Sequence, residues 1–321
     1  MSETPDTLET DSLVALADDS KTAEAAASAL RSALPDVRVE AVSDADDDAL
    51  RAAPVVVAFH PPAGWVETAE SVGWVHAATA GVDGYPVDRF AERGVVLTNG
   101  RGVTAEPVAE QALAALLAFD RRVHRAVRQQ ARGEWTWFGG HELRGKTVGV
   151  VGVGAIGRRV ATLCSAFDTT VLGVKRDTDV AVDGVDELFV PDDLDAVLER
   201  AEHLVLSCPL TDETRGLIGG DECERLPDHA VVVNVARGEV VDEDALLAAL
   251  DADEIRGAAL DVFETEPLPP ESPLWEREDV ILTPHMAGST PAFWERNAAL
   301  VGENYPKFER GEPGEMENRV V

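Results

Sequence analysis

Lysine and cysteine are both scarce in this sequence, and each scarcity excludes something. Four of the 321 residues are lysine (Lys21, Lys146, Lys175 and Lys307), and 60 acidic residues face 28 basic ones, for a net charge of −32. Such an excess of negative charge makes nucleic acid and anionic membrane surfaces poor partners. Exchanging long lysine stems for short carboxylates also shrinks the exposed hydrocarbon. Concentrated salt screens the self-repulsion that results, so the composition reads as that of a halophilic protein. The three cysteines, Cys164, Cys208 and Cys223, are widely spaced with no C-x-x-C pair. That excludes a disulfide framework and a cysteine zinc site, and no metal is expected. No apolar run reaches membrane-spanning length. The first residues, Met1–Asp6, are polar and acidic, unlike the basic start and apolar core of a signal peptide. A soluble, cytoplasmic protein is expected.

Against these absences stands a chain that is 45% hydrophobic and long enough for two domains. Short apolar runs alternate with helical patterns, which predicts parallel α/β architecture. Strands are expected at 13–17, 37–39, 55–59, 74–76, 95–97, 203–207, 230–235, 257–262 and 280–283. Helices are expected near 21–33 and 86–93, with one long helix over 107–131 and another over 291–310. Domain junctions near 99–103 and 283–290 make the chain cross twice, so residues 1–102 and 286–321 form one domain and 103–285 the other. A cleft between them would hold a substrate.

The most informative segment is Thr147-Val148-Gly149-Val150-Val151-Gly152-Val153-Gly154-Ala155-Ile156-Gly157. An apolar strand runs into G-x-G-x-x-G and then into a helix. The first glycine makes the turn, the second lets the backbone approach a pyrophosphate, and the third packs helix on strand. The helix N-terminus faces the phosphates with free N–H groups. Dinucleotide binding at Gly152, Gly154, Ala155, Ile156 and Gly157 follows. The next strand, Thr170–Val174, ends in Lys175-Arg176 where an NAD site carries Asp or Glu. Two cations suit a 2′-phosphate. NADPH is therefore the preferred cofactor, with NADH as a further acceptable one.

Arg237, Glu266 and His285 each follow the C-terminal end of an expected strand, where open α/β sheets place ligands. A guanidinium can hold the carboxylate of a 2-oxo acid, and an imidazolium can protonate the developing alkoxide. A carboxylate bonded to an imidazole orients it and favours its charged form.

The ordered motifs Ala80-Gly81-Val82-Asp83, Val108-Ala109-Glu110, Leu143–Gly149, Cys208-Pro209-Leu210-Thr211-Asp212-Glu213-Thr214, Asn234–Gly238, Leu260–Pro267 and Pro284–Gly288 span residues 74–290. Together they resemble the D-2-hydroxyacid dehydrogenase family (D-isomer specific, nicotinamide dependent). The resemblance implies a Rossmann-type doubly wound parallel sheet for the nucleotide. It also implies a flavodoxin-like α/β substrate domain, split in sequence and completed by the C-terminal helix. Arg237 is similar to the family's substrate-binding arginine, Glu266 to the carboxylate behind the histidine, and His285 to the general acid/base. The Ala80-Gly81 backbone resembles the nest for the substrate carboxylate. Thr104, Cys208, Pro209, Thr214, Val235, Ala236, Asp261 and Gly288 would line the cofactor, with Asp261 at the nicotinamide carboxamide. Trp135 and Trp137 resemble aromatics on a loop that reaches a partner's active site, and a homodimer is implied. The implied reaction is NADPH-dependent reduction of a 2-oxo acid to a D-2-hydroxy acid. Glyoxylate/hydroxypyruvate reductase is the narrower alternative, and a nucleotide-sensing corepressor the alternative of another class.

Overall fold

The β-branched runs form two all-parallel sheets. The structure, a computed structural model, describes residues 12–82 and 84–321; Asp83 of the Ala80–Asp83 motif lies outside the described residues. Two compact units divide the chain, one comprising the residues up to Thr104 together with Thr290–Val321, the other Ala105–Ser289. In the first unit, β1 (Ser12–Ala17), β2 (Arg38–Val42), β3 (Val55–Phe59), β4 (Trp74–Ala77) and β5 (Val96–Asn99) pair in the order β2-β1-β3-β4-β5. That is the flavodoxin-like order. In the second, β6 (Thr147–Val151), β7 (Thr170–Val174), β8 (Glu187–Phe189), β9 (His203–Leu206), β10 (Val231–Asn234), β11 (Gly257–Leu260) and β12 (Val280–Leu282) pair as β12-β11-β10-β9-β6-β7-β8. The order reverses between β6 and β9, the switch point where doubly wound sheets bind ligands.

Alternation along each strand feeds two cores. Val148 and Val150 face one side of the second sheet and Val151 the other; Val205 likewise opposes Leu204 and Leu206. In the first unit Val56 and Ala58 oppose Val55 and Val57. Both faces of both sheets are covered, which is why these strands read as continuous apolar runs.

The C-terminal helix Phe293–Glu309 packs through Ala298, Val301 and Tyr305 into the first unit. A buried polar chain secures it. Trp74 Nε1 donates to Thr98 Oγ1 (2.9 Å), Thr98 Oγ1 lies 2.9 Å from His76 Nδ1, and His76 Nε2 lies 3.1 Å from Asn297 Oδ1. Asn297 Nδ2 donates to the Phe293 carbonyl, so Oδ1 is the acceptor and His76 is the neutral Nε2–H tautomer. Burial pushes the His76 pKa down to about 4. A histidine with a depressed folded-state pKa destabilises the fold as pH drops below its unfolded value of about 6.5, because the unfolded chain then binds the extra proton. Between pH 7 and 4 the stability from His76 should fall by about 3 kcal/mol. Denaturant titrations should show a shallower acid loss in His76→Gln than in wild type; equal slopes would refute the assignment.

One expectation needs correction. The single helix expected over 107–131 is two helices, Ala105–Asp120 and Val123–Arg132, broken where Arg122 takes the left-handed conformation (φ 53°). The reason is Asp120. It is fully buried, and its Oδ1 accepts from Lys146 Nζ (2.8 Å) and Arg256 Nη2 (2.9 Å), while Oδ2 lies 2.9 Å from His203 Nε2. Its own carbonyl accepts from His141 N. Lys146, His203 and Arg256 stand at the starts of β6, β9 and β11, so the helix end is pinned to the sheet edge opposite the glycine turn. Burial alone would raise the Asp120 pKa, but the bonds from His203, Lys146 and Arg256 hold it well below the usual carboxylate range. The short edge strand β8 was also not anticipated.

Candidate active site

The site is built from strand ends. After β6 the chain turns at Gly152 with φ 94°, a conformation that favours glycine, and a Cβ there would lie 2.5 Å from Cys208 N. Gly154 then heads the helix Ala155–Ser165, which no side chain caps. A Cβ at Gly154 would meet nothing within 4 Å, so open space lies over this glycine. The first-turn amides at Ala155, Ile156 and Gly157 therefore open on room for a pyrophosphate, as G-x-G-x-x-G requires. Ser207, after β9, holds the turn by donating to the Gly152 carbonyl (2.9 Å).

A cavity of about 390 Å³ runs from this turn along the C-terminal ends of β6, β7 and β9. Cys208 and Pro209 form one wall. Thr214 Oγ1 donates to the Pro209 carbonyl (2.6 Å) and accepts from Thr211 N (2.8 Å), which closes the 209–214 loop. Burial pushes the Cys208 thiol up to about 11, so this cysteine is a neutral wall residue. At the far end, Lys175 is half-buried and Arg176 exposed, and both line the cavity with Asp177. Neither cation has a hydrogen-bond or ion-pair partner among the described residues. Both side chains are thus available to a ligand in the cavity, whereas Arg159 is held by both Glu106 oxygens.

The second cluster follows β10, β11 and β12. Asn234, at the end of β10, accepts from Ala236 N and donates to the Arg237 carbonyl (2.9 Å), so the tight Asn234-Val235-Ala236-Arg237 turn is closed by one buried side chain. Val235 and Ala236 are buried, and Arg237 is half-buried with its guanidinium donating to the Ala236 carbonyl (2.8 Å). Behind it the chain presses on the next loop: a Cβ on Gly238 would lie 1.8 Å from the Phe263 carbonyl carbon. That loop carries Glu266, whose Oε1 accepts from Phe263 N (3.0 Å) and whose Oε2 lies 2.7 Å from His285 Nδ1. A carboxylate only accepts, so Nδ1 donates and Nε2 is left for another partner. His285 is about half exposed and sits at φ 48°, a strained conformation for a non-glycine residue.

Asp261 maintains that strain. Its carboxylate accepts from Thr283 Oγ1 (2.6 Å), Met286 N (3.0 Å) and Ala287 N (2.9 Å), and its backbone carbonyl accepts from His285 N (2.8 Å). These bonds wrap the 283–287 loop around one buried side chain and leave Asp261 room for about one further donor. Ser289 N closes the turn over Gly288 by donating to the Met286 carbonyl (2.8 Å). The sequence assigns no role to Asn234, Ser207 or Thr283; a polar residue at the end of an apolar strand is the available signal.

In the first unit, Ala80 and Gly81 follow β4 in an exposed turn whose amides have no acceptor among the described residues. Thr104 is half-buried directly ahead of the helix Ala105–Asp120. In the second unit Trp135 and Trp137 are 101% and 89% exposed, and Val123 and Val127 of the neighbouring helix are exposed as well.

The chain is similar to known proteins of one family. A family model described as D-isomer specific 2-hydroxyacid dehydrogenase, NAD binding domain, matches residues 113–287. The chain is 38% identical over 265 residues to a glyoxylate reductase of Korarchaeum cryptofilum, with 79% of each chain covered. It is similar to a crystal structure of a D-isomer specific 2-hydroxyacid dehydrogenase from Xanthobacter autotrophicus in complex with NADPH and MES (TM-score 0.82, 32% identity, covering 97% and 98% of the two chains). It is similar also to an NADPH-dependent glyoxylate/hydroxypyruvate reductase from Sinorhizobium meliloti in complex with NADP and sulfate (TM-score 0.82, 28% identity, covering 96% and 97%).

Proposed function

The chain belongs to the D-isomer specific 2-hydroxyacid dehydrogenase family, and from that premise we propose that it reduces a small 2-oxo acid to the D-2-hydroxy acid with NADPH. The observation that carries the reading is the Glu266–His285–Arg237 cluster at three adjacent strand ends. Arg237 binds the substrate carboxylate and polarises the carbonyl through charge-assisted bonds. His285 Nε2–H faces the carbonyl oxygen and delivers a proton to it as the alkoxide forms. Glu266 fixes the ring orientation from Nδ1, and Asp261 fixes the loop. The amides of Ala80 and Gly81, which have no acceptor among the described residues, are a further group for the substrate carboxylate. Bound NADPH would supply the hydride, the amides at Ala155–Gly157 would hold its pyrophosphate, and Lys175 and Arg176 its 2′-phosphate.

Glyoxylate or hydroxypyruvate is the favoured substrate. The relatives with those activities in their names support this. Turnover assays with NADPH against glyoxylate, hydroxypyruvate and larger 2-oxo acids test the reading. NADPH oxidation is expected, with D products from the larger acids. No turnover with any of them would sink the enzymatic reading in favour of a corepressor-like nucleotide sensor.

Two further properties belong to this reading. The chain forms a homodimer in the cytoplasm, with Trp135, Trp137, Val123 and Val127 supplying an exposed apolar face for the partner. It is halophilic, because a net charge of −32 repels itself unless screened. The melting temperature and the solution mass should both rise from low to molar KCl; a melting temperature that is flat or falling with salt would contradict the halophilic part, and a monomer at every salt concentration the dimer.

A further inference from the structure

The turn that offers the Ala80 and Gly81 amides is held from a distant part of the chain. Two side chains engage its carbonyls, while its amides have no acceptor among the described residues. Thr79 Oγ1 donates to the Gly81 carbonyl (2.7 Å), and Asn99 Nδ2 donates to the Ala80 carbonyl (2.7 Å). With both carbonyls engaged, the adjacent N–H groups are left as an anion-binding concavity rather than a mixed turn. Asn99 is itself clamped. Asn318 Nδ2 donates to the Asn99 carbonyl (3.2 Å) and the Arg101 carbonyl (2.8 Å), Asn99 N donates to the Asn318 carbonyl (3.1 Å), and Arg101 Nε donates to Asn318 Oδ1 (3.2 Å). Asn318 reaches this geometry in the left-handed region (φ 56°), which asparagine tolerates better than most residues. Beyond it the tail lies along β5: Val320 N donates to the Leu97 carbonyl (2.7 Å), and Thr98 pairs with Arg319 antiparallel. The 99–101 turn has no slack against the 78–80 turn, since a Cβ on Gly100 would lie 2.3 Å from the Ala78 carbonyl oxygen.

We infer that Asn99 is a positioning residue for the substrate carboxylate and that Asn318, 219 residues away in sequence, holds it in place. The inference rests on the proposal that the Ala80–Gly81 amides bind that carboxylate. Neither asparagine touches the reacting atoms. Their contribution is to ground-state and transition-state binding alike, so it appears in KM for the 2-oxo acid and not in kcat.

The test is steady-state kinetics with NADPH and glyoxylate on four variants, each checked for an unchanged melting temperature. Asn99→Ala should raise KM for glyoxylate on the order of tenfold, the scale of losing one well-placed hydrogen bond. The kcat and the KM for NADPH should stay within about twofold. Asn318→Gly keeps the left-handed backbone and removes only the side chain, and it should raise the same KM by a smaller factor. The double variant should be no worse than Asn99→Ala alone, because one residue acts through the other; additive losses would overturn the coupling. A fall in kcat or a rise in KM for NADPH would mark a merely structural role and overturn the inference. Gly81→Pro, which deletes one amide of the nest, separates the two levels. If it raises KM for glyoxylate and Asn99→Ala does not, the positioning role falls and the nest stands. If Gly81→Pro leaves KM unchanged, the nest itself is wrong and the inference falls with it.

Discussion

Replacing His285 with alanine is expected to lower kcat by about 10²–10⁴-fold, the usual worth of a positioned general acid, while NADPH binding stays nearly unchanged. The geometry makes the expectation specific. Nδ1 is committed to Glu266 at 2.7 Å, so Nε2 is the nitrogen that exchanges a proton with the substrate oxygen. Reduction needs that proton present and oxidation needs it absent, so the pH optimum for reduction should lie below that for oxidation. Glu266→Gln keeps a hydrogen-bonding group but not the charge, and it should cost less than removing the ring. Stopped-flow hydride transfer in both directions measures these effects where product release would mask them. A His285→Ala enzyme with wild-type kcat would remove the residue from the mechanism. Identical pH profiles in the two directions, with chemistry limiting, would do the same.

The second large effect is expected at the end of β7. A 2′-phosphate seated between Lys175 and Arg176 gains about 1.5–3 kcal/mol over a hydroxyl, the scale of hydrogen bonds to charged groups. That corresponds to roughly ten- to a hundredfold in KM ratio where KM follows binding. Lys175→Asp should therefore raise KM for NADPH sharply and improve the use of NADH. At saturating cofactor kcat should change little, because this end of the cavity contributes uniform binding. The preference should weaken in high salt, which screens a partly exposed phosphate clamp. The structural support is that both side chains line the cavity beside the glycine turn and neither has an acidic partner among the described residues. A wild-type enzyme that prefers NADH, or a Lys175→Asp variant with an unaltered ratio, would make the two cations ordinary surface residues.

Much of the site was legible in the chain itself, for reasons that are local. A strand, a glycine turn and a helix start are set by adjacent residues, so Gly152–Gly157 could be placed without any knowledge of packing. Arg237, Glu266 and His285 were legible because each comes after the end of an apolar run, and parallel strands share one C-terminal edge, whereas Asp261 was indicated by the family resemblance alone. What the tertiary structure decided depends on residues far apart in sequence. The helix expected to run through 121 stops because buried Asp120 meets Lys146, His203 and Arg256, none of which is its neighbour along the chain. Helix propensity is a weak prior beside a buried carboxylate that requires three donors. The occupied state of Asp261 is of the same kind, since Thr283, Met286 and Ala287 reach it only after β11 and β12 have paired. So is the clamp of Asn318 on Asn99: two asparagines with no motif around either, joined because the last residues run back along β5 and the backbone groups there need partners.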